Sequence, residues 1–335
     1  MNLYFSIIVP VYNRPEEIRE LLESLEKQDF DEDYEIVIVE DGSLERSEHI
    51  VKSFDERLSI SYYFKENSGP GDSRNYGMEK AKGNYFIILD SDCILPKQYL
   101  SEVKKELEAS FVHCFGGPDA ADQSFTTVQK AINYVMTSFF TTGGIRGGST
   151  ALGKFQPRSF NMGISEETFE NVGGFGRIHP GEDPDLTFRI WKGGYASRLF
   201  PKAYVYHKRR IDWNKFYIQV NKFGMVRPIL NQWHKGTAKI TYWFPTLFMV
   251  GLLISVVLAI MGTLLPIITF GFYFLALFFD ALVKNKSLKV AFLAIFAALT
   301  QFTGYGIGFL KSTILLNFSK KEPETLLPKL FFKVK

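Results

Sequence analysis

From residue 240 to residue 279 the chain has no charged residue and no histidine. A helix needs about 20 apolar residues to cross ~30 Å of hydrocarbon, so this run predicts two membrane-spanning helices. Gly262 and Pro266 mark a turn between them, which gives spans over residues 242–260 and 264–283. The alternative is a buried helix pair in a soluble core. Such cores rarely tolerate this length without polar interruption.

A third uncharged stretch, residues 290–310, is again long enough to cross a membrane. We therefore predict a transmembrane region over residues 240–316 with two or three membrane segments, followed by a basic tail over 317–335. Three full spans would place that tail on the side opposite the preceding domain. A re-entrant or interfacial third segment, loosened by its glycines, would keep the tail on the same side. Both possibilities remain open at this point.

Residues 213–239 mix Trp and Phe with Lys and Arg, a composition that predicts an interfacial amphipathic segment. No basic region precedes the first apolar run, so we expect no signal peptide and a cytosolic location for residues 1–212. The protein is then a multi-pass protein of the cytoplasmic membrane. Cys93 and Cys114 are too few for a disulfide framework and suggest a reducing compartment. A net charge of +3 is too small to argue for a nucleic-acid partner.

Apolar β-type runs alternate with amphipathic stretches in residues 1–212, which predicts an α/β domain with a mostly parallel central sheet. Polar clusters follow three of the predicted strands, at residues 10–14, 40–43 and 90–92. In such sheets ligands bind beyond the carboxyl ends of the strands, so these clusters predict the site.

No Gly-rich dinucleotide motif follows the first strand, and no P-loop motif occurs anywhere. Asp90 and Asp92 stand one residue apart after a buried strand and can share a divalent cation with a diphosphate. Mg²⁺ and Mn²⁺ prefer such hard oxygen ligands. The alternative is a solvated turn at a strand end. Position after a buried strand favours the metal site.

Five blocks, FSIIVPVYNR, EIVIVEDGS, NSGPGDSRNYGMEKAKGNYFIILDSD, NMGISEETFENVGGF and GEDPDLTFRIWKGGY, occur in this order over roughly residues 4–210. Together they resemble the family 2 inverting glycosyltransferases of GT-A fold. The C-terminal third resembles the membrane-anchored bacterial members that build polysaccharides and lipid-linked glycans. The resemblance implies a nucleotide-sugar donor, most simply a UDP-sugar, and Mn²⁺ or Mg²⁺ as the cofactor.

The resemblance also implies roles for individual residues. Those expected to bind the nucleotide sugar are Pro10, Val11, Tyr12, Asn13, Asp41, Arg74, Asn75, Asp90 and Ser91. Asp92 would be the principal metal ligand. As alternatives, Asp41 is a turn residue before Gly42 and Arg74 is a surface cation.

An inverting transfer needs a base to take the acceptor proton. The resemblance gives that role to Asp183, with Glu182, Asn161 and Met162 on the acceptor side. The simpler alternative is that Asp183 is an acid at a helix start, beside Pro184, which is compatible with catalysis.

His207 follows a short apolar strand, and a neutral imidazole there would complete the metal shell. The alternative is a structural histidine.

The predicted function is metal-dependent transfer of a sugar to a membrane-associated glycan or lipid-linked acceptor in cell-surface polysaccharide synthesis. The alternative is a membrane-tethered, non-catalytic nucleotide-sugar-binding component of a glycan assembly complex. The presence of both Asp92 and Asp183 disfavours it.

Overall fold

The computed structural model describes residues 3–120, 125–142, 155–207 and 212–332. Its strands in chain order are β1 Phe5–Val11, β2 Tyr34–Asp41, β3 Ile60–Lys65, β4 Tyr85–Leu89, β5 Cys93–Ile94, β6 Cys114–Gly116, β7 Asp119–Ala120, β8 Asn161–Ser165, β9 Ser197–Leu199 and β10 Val205–His207. Its α-helices are α1 Pro15–Leu25, α2 Glu48–Lys52, α3 Pro70–Lys80, α4 Tyr99–Ala109, α5 Thr127–Thr137, α6 Phe139–Thr142, α7 Glu166–Val172, α8 Glu182–Lys192, α9 Trp213–Trp233, α10 Phe244–Ile260, α11 Leu265–Asn285, α12 Leu288–Phe318 and α13 Pro323–Leu326.

The described residues form two compact units. The sheet unit comprises residues 3–120 and 155–207, together with Phe332 near the end of the chain. The helical unit comprises residues 125–142 and 212–331. The helices α5 and α6 therefore belong to the helical unit, although they lie within the range 1–212 predicted for the α/β domain.

The sheet unit is built on a seven-stranded sheet in the order β3-β2-β1-β4-β8-β6-β9. The first four of these strands run parallel, and β8 runs antiparallel to both β4 and β6. The central strands are buried along their whole length because helices cover both faces. The prediction of a mostly parallel sheet in an α/β domain is confirmed.

Parallel order brings the carboxyl ends of β1, β2 and β4 to one edge of the sheet. The polar clusters after these strands therefore share that edge. A small second sheet, in the order β5-β10-β7, forms just after the end of β4. Within it His207 pairs with Cys93, which brings a residue late in the chain beside Asp92.

The helical unit contains three segments that are long and apolar enough to cross a membrane, Ile240–Ile260, Leu265–Asn285 and Leu288–Phe318. They correspond to the two spans predicted over residues 242–260 and 264–283 and to the uncharged stretch 290–310. In the third segment half of the most apolar window is buried inside the protein, against 17% and 11% in the first two. The long helix α12 thus has protein neighbours that α10 and α11 lack.

Glycines let α9 and α12 approach each other closely. A Cβ atom on Gly224 of α9 would lie 2.1 Å from the carbonyl oxygen of Tyr305, and one on Gly308 of α12 would lie 2.2 Å from that of Asn221. The Asn221 amide also donates to the Gly304 carbonyl at 2.9 Å. Backbone therefore packs on backbone, and side chains at these positions would separate the two helices.

We expect Gly224→Ala to destabilise the helical unit, because the added methyl group meets fixed backbone rather than a mobile side chain. Overpacking of this kind typically costs about 1–3 kcal/mol. Thermal unfolding of the detergent-solubilised protein measures the loss. Gly271→Ala in α11 is the matched control, since no described atom lies within 4 Å of its Cβ position. An unchanged melting temperature for Gly224→Ala would contradict the close packing.

Candidate active site

The loops after β1 and β2 are joined by Asn13. Its backbone N–H donates to Ser43 Oγ at 2.7 Å, and its side-chain oxygen accepts from the N–H groups of Leu44 and Glu45. Asn13 has a positive φ of 53°, which this residue type tolerates better than most. Tyr12 beside it is half exposed, at 51%, so its ring face is available to a planar ligand.

Asp41, at the end of β2, is buried and holds the following loop. One carboxylate oxygen accepts from Lys65 Nζ at 2.8 Å and from Ser68 N–H at 3.0 Å. The other accepts from Gly69 N–H at 3.0 Å. This side chain therefore attaches the loop that leads into α3 to the end of β2, and the Asn67 amide adds a hydrogen bond to the Asp41 carbonyl at 2.9 Å.

Arg74 of α3 is buried among acids at the same edge. Its guanidinium donates to Asp90 at 2.7 Å and lies 3.6 Å from Glu182. Burial would lower the pKa of Arg74, but Asp90, Glu182 and Asp183 raise it, so the group stays charged. Among the described residues, its Nε and Nη1 atoms have no hydrogen-bond acceptor. These donors suit an anionic ligand, because a buried donor without a partner is unfavourable.

Asp92 lies 3.0 Å from His207 Nε2, and the His207 ring stacks on Phe160. Burial would raise the pKa of Asp92, but the hydrogen bond and charge of His207, with Arg14, lower it. The carboxylate is therefore ionised at neutral pH. The predicted pair of metal ligands, far apart in sequence, is adjacent in the structure because β5 pairs with β10.

One ligand atom each from Asp92, Cys93 and His207 lie within 4.8 Å of one another. The carboxylate is a suitable ligand for Mn²⁺ or Mg²⁺, and the imidazole suits a transition-metal ion such as Mn²⁺ better than Mg²⁺. The Cys93 thiol is not, because it is soft, donates to the Phe160 carbonyl, and has a pKa raised well above its ordinary value by burial. Asp92 and His207 thus fit a divalent cation, and Cys93 belongs to the core.

Asp183 lies in the first turn of α8, next to Glu182. Burial, followed by the charge of Glu182, raises the pKa of Asp183, although Arg74, Arg158 and Ser159 act against the rise. Its Oδ1 atom is buried and accepts no hydrogen bond from a described residue. A carboxylate with a raised pKa and a free acceptor oxygen is suited to receiving a proton.

The pKa of Glu182 is shifted in the opposite direction to that of Asp183. Its Oε1 atom lies 2.8 Å from His179 Nδ1 and 3.6 Å from Arg74. Burial would raise the pKa of Glu182, but His179 and Arg74 lower it. The pKa values of these two adjacent carboxyl groups are thus shifted in opposite directions, and Asp183 is the better proton acceptor.

Several residues predicted to contact ligands are held by contacts within the protein or are buried. Asn75 receives a hydrogen bond from Phe175 N–H and donates to the Phe175 carbonyl. Asn161 is fully buried between the Tyr99 hydroxyl and the Ala203 carbonyl. The remaining members of this group, all buried, are Pro10, Val11, Ser91 and Met162. Their ligand roles stay predictions.

Sequence reasoning missed four residues that shape this site. Lys65 forms an ion pair with Asp41, and the charge of Arg14 lowers the pKa of Asp92. Arg158 lowers the pKa of Asp183, and His179 lowers that of Glu182. His179, three residues before Glu182, could have been found from that spacing. Nothing in the local sequence of the other three distinguishes them from surface cations.

Comparison with known proteins agrees with this geometry. Residues 6–171 match the family model described as Glycosyl transferase family 2. The match covers just under half of the chain, and it is to the family that the sequence blocks predicted.

Two curated relatives are similar over about a third of the chain. Poly(ribitol-phosphate) beta-N-acetylglucosaminyltransferase TarS of Staphylococcus aureus is 38% identical over 101 residues, 29% of this chain and 18% of the relative. GalNAc(5)-diNAcBac-PP-undecaprenol beta-1,3-glucosyltransferase of Campylobacter jejuni is 31% identical over 116 residues, 33% of this chain and 37% of the relative. The matches thus span less than two fifths of either relative.

Among solved structures, the mannosyltransferase PcManGT of Pyrobaculum calidifontis, in complex with GDP-Man and Mn²⁺, has a TM-score of 0.59 at 18% identity. The match covers 94% of this chain and 88% of that one. At this identity the likeness establishes the fold, and the predicted GT-A-type architecture with C-terminal apolar helices is confirmed.

Proposed function

We propose that the protein is an inverting glycosyltransferase that moves a sugar from a nucleotide-diphosphate sugar to a membrane-associated glycan or lipid-linked acceptor. One observation supports this most strongly: the ionised Asp92 beside His207, the buried Arg74, and Asp183 with its raised pKa belong to one compact unit, whose residues 6–171 match the family 2 model. These groups supply metal ligands, an anion-binding cation and a base.

The transfer is a single displacement. The acceptor hydroxyl oxygen forms a bond to the anomeric carbon while the bond from that carbon to the diphosphate oxygen breaks. The electron pair of the broken bond leaves with the nucleoside diphosphate, and Asp183 takes the acceptor proton. Glu182, whose pKa is lowered, stays ionised and helps to keep the pKa of Asp183 raised.

The leaving diphosphate is the second electrostatic requirement. Arg74 has buried donors without acceptors among the described residues, which suits a phosphate oxygen. Asp92 and His207 would hold Mn²⁺ or Mg²⁺, and the cation would neutralise charge on the diphosphate. The solved structure of PcManGT contains a nucleotide sugar and Mn²⁺, which supports a nucleotide sugar and a divalent cation as the groups bound here.

A membrane-associated acceptor is supported by the three apolar helices and by the name of the C. jejuni relative, which specifies a PP-undecaprenol acceptor. We place the protein in the cytoplasmic membrane with the sheet unit in the cytosol. Residues 1–212 as the catalytic domain and 240–316 as the membrane region remain our proposed boundaries.

Purified full-length protein, assayed in detergent with Mn²⁺ against a panel of UDP- and GDP-sugars and a polyprenyl-phosphate-linked acceptor, tests the proposal. We expect acceptor-dependent release of nucleoside diphosphate with one donor, most simply a UDP-sugar. Donor binding by calorimetry without any turnover across the panel and several acceptors would favour the non-catalytic alternative.

A further inference from the structure

We infer that the chain crosses the membrane twice, through α10 and α11, and that α12 lies in the plane of the membrane with one face on the lipid. By length and composition alone α12 qualifies as a third span, since its 31 residues extend for about 46 Å. Its contacts within the helical unit assign it a different position. The bound partner of its exposed face is the headgroup–acyl boundary of the bilayer.

The contacts between α12 and α10 occur in antiparallel order, which is not the order expected of a third span that crosses beside α10. They include Phe302 with Phe248, Thr303 with Met249 and Gly306 with Thr246, and Phe309 then meets Trp243, the residue just before α10. As α12 advances along the chain, its partners move back toward the start of α10. A third span would be parallel to α10 and would meet successively later residues. In these contacts α12 therefore reaches no further than the second turn of α10 and then recedes.

The exposure of residues near the turn between α10 and α11 also indicates that α12 does not extend alongside this end of the helix pair. Side chains around their connecting turn, such as Ile260, Met261 and Leu265, are 75–82% exposed within the protein. This end of the helix pair projects beyond the described residues of α12 and fits a hydrocarbon environment.

The second half of α12 packs against α9, a helix whose polar residues are unfavourable in the hydrocarbon core of a bilayer. Its residues 304–309 lie against α9, which carries Asn221, Lys222 and Arg227 among its polar residues. Polar and charged groups of this kind are strongly unfavourable at the centre of a bilayer. This part of α12 therefore lies at the level of the interface, with α9.

The exposed apolar residues of α12 form one stripe along its length. Spaced for a single helix face, they are Leu288, Phe292, Phe296, Ile307, Leu310, Ile314 and Phe318. The opposite face is buried and rich in small residues. A helix with protein on one side and an apolar stripe on the other is suited to lie on the membrane. Lys284, Lys286 and Lys289 lie around the start of this stripe and suit the headgroup level.

The end of the chain gives an independent constraint. Phe332 belongs to the sheet unit, where its N–H donates to the Arg177 carbonyl at 3.1 Å and its ring lies against His179. The segment between residues 212 and 331 therefore starts and ends in the compartment of the sheet unit. An even number of crossings follows, and α10 with α11 supplies two.

Cysteine accessibility in intact cells tests the number of crossings. Single cysteines at the exposed positions Glu56, Thr263 and Lys320 report on the sheet unit, the α10–α11 turn and the segment after α12. The unaltered chain is the control, because Cys93 and Cys114 are buried and should not react. With a membrane-impermeant maleimide we expect Thr263→Cys to label in intact cells, and Glu56→Cys and Lys320→Cys to label only after lysis.

Labelling of Lys320→Cys together with Thr263→Cys in intact cells would show three crossings and overturn the inference. Reaction of all three positions only after lysis would overturn it as well, since no segment would then cross.

Depth measurement tests the orientation of α12 separately. Spin labels at positions 292, 296, 307 and 314 of the full chain are read by oxygen and nickel-chelate accessibility in phosphatidylethanolamine–phosphatidylglycerol vesicles. An in-plane helix gives similar depths at all four positions. A depth that passes through a maximum near the bilayer centre along this series would show a spanning helix.

Discussion

Replacing Asp183 with asparagine should lower kcat by about 10²–10⁴-fold while donor binding hardly changes. The amide keeps the shape of the carboxylate but cannot accept the acceptor proton, and general-base contributions are typically of this size. Steady-state rates and calorimetry with the nucleoside diphosphate measure the two effects. Normal turnover by Asp183→Asn would exclude this residue as the base and leave Glu182 as the first candidate.

A structural acid at a helix start would give a different result. The pKa of Asp183 is raised by burial and by Glu182, so ionisation of this group at neutral pH destabilises the folded state. Asp183→Asn should therefore keep or raise the melting temperature while activity falls. Glu166→Gln is the matched control, since Glu166 is an exposed acid in the first turn of α7. It should retain full activity. A lower melting temperature for Asp183→Asn would favour the structural role.

The raised pKa also predicts the pH dependence of catalysis. A base must be deprotonated, so kcat should fall as the pH drops through the pKa of Asp183. Because that pKa is raised, the fall should begin above the pH at which an ordinary aspartate titrates. The pH profile of kcat checks this. An acid limb at or below the ordinary aspartate range would contradict the environment described for Asp183.

Replacing Asp92 with alanine should abolish the response to Mn²⁺ and lower kcat/KM by at least about 10²-fold. A metal ion at a transferring phosphate typically contributes several kcal/mol of charge stabilisation, which this change removes. The wild type should lose activity in excess chelator and regain it with Mn²⁺ or Mg²⁺. Full wild-type activity in chelator would rule out the metal role of Asp92.

His207→Ala tests the second ligand, and His113→Ala is its matched control. His113 is also partly buried, and its Nδ1 atom lies 2.9 Å from Ser165 Oγ, but it precedes β6 at the amino end of that strand. His207→Ala should raise the Mn²⁺ concentration needed for half-maximal rate, whereas His113→Ala should leave it unchanged. Equal effects of the two changes would point to a loss of stability instead.

The sequence was sufficient to predict the sheet and the edge at which the site lies. Continuous apolar strands indicate a parallel sheet covered on both faces, and parallel strands have their carboxyl ends at one edge. Asp41 and Asp90–Asp92 follow such strands directly, so their common location could be predicted from local pattern. The family resemblance added Asp183, whose environment in the structure is that of a proton acceptor.

Contacts between segments that are far apart in the sequence could not be predicted from local sequence patterns. His207 meets Asp92 only because two very short strands pair, and such strands leave almost no periodic signal. Asn161 is predicted to lie on the acceptor side, and its contacts with Tyr99 and Ala203 in the core could not be predicted from its motif. The orientation of α12 depends on its neighbours rather than on its hydropathy, so the composition of residues 290–310 left two topologies open.

The carboxylate of Asp41 already accepts three hydrogen bonds, of the about four that a carboxylate can take, and this limits how the nucleobase can be selected. A base N–H that binds at one of the three occupied positions competes with Ser68, Gly69 or Lys65, which already donate there. Such an exchange of one hydrogen bond for another yields little net free energy. Discrimination between uridine and guanosine donors would then come from the fit of each base to the loop that Asp41 orders. Exchange of residues 66–69 between homologous enzymes should alter nucleotide preference more than any change to Asp41 itself.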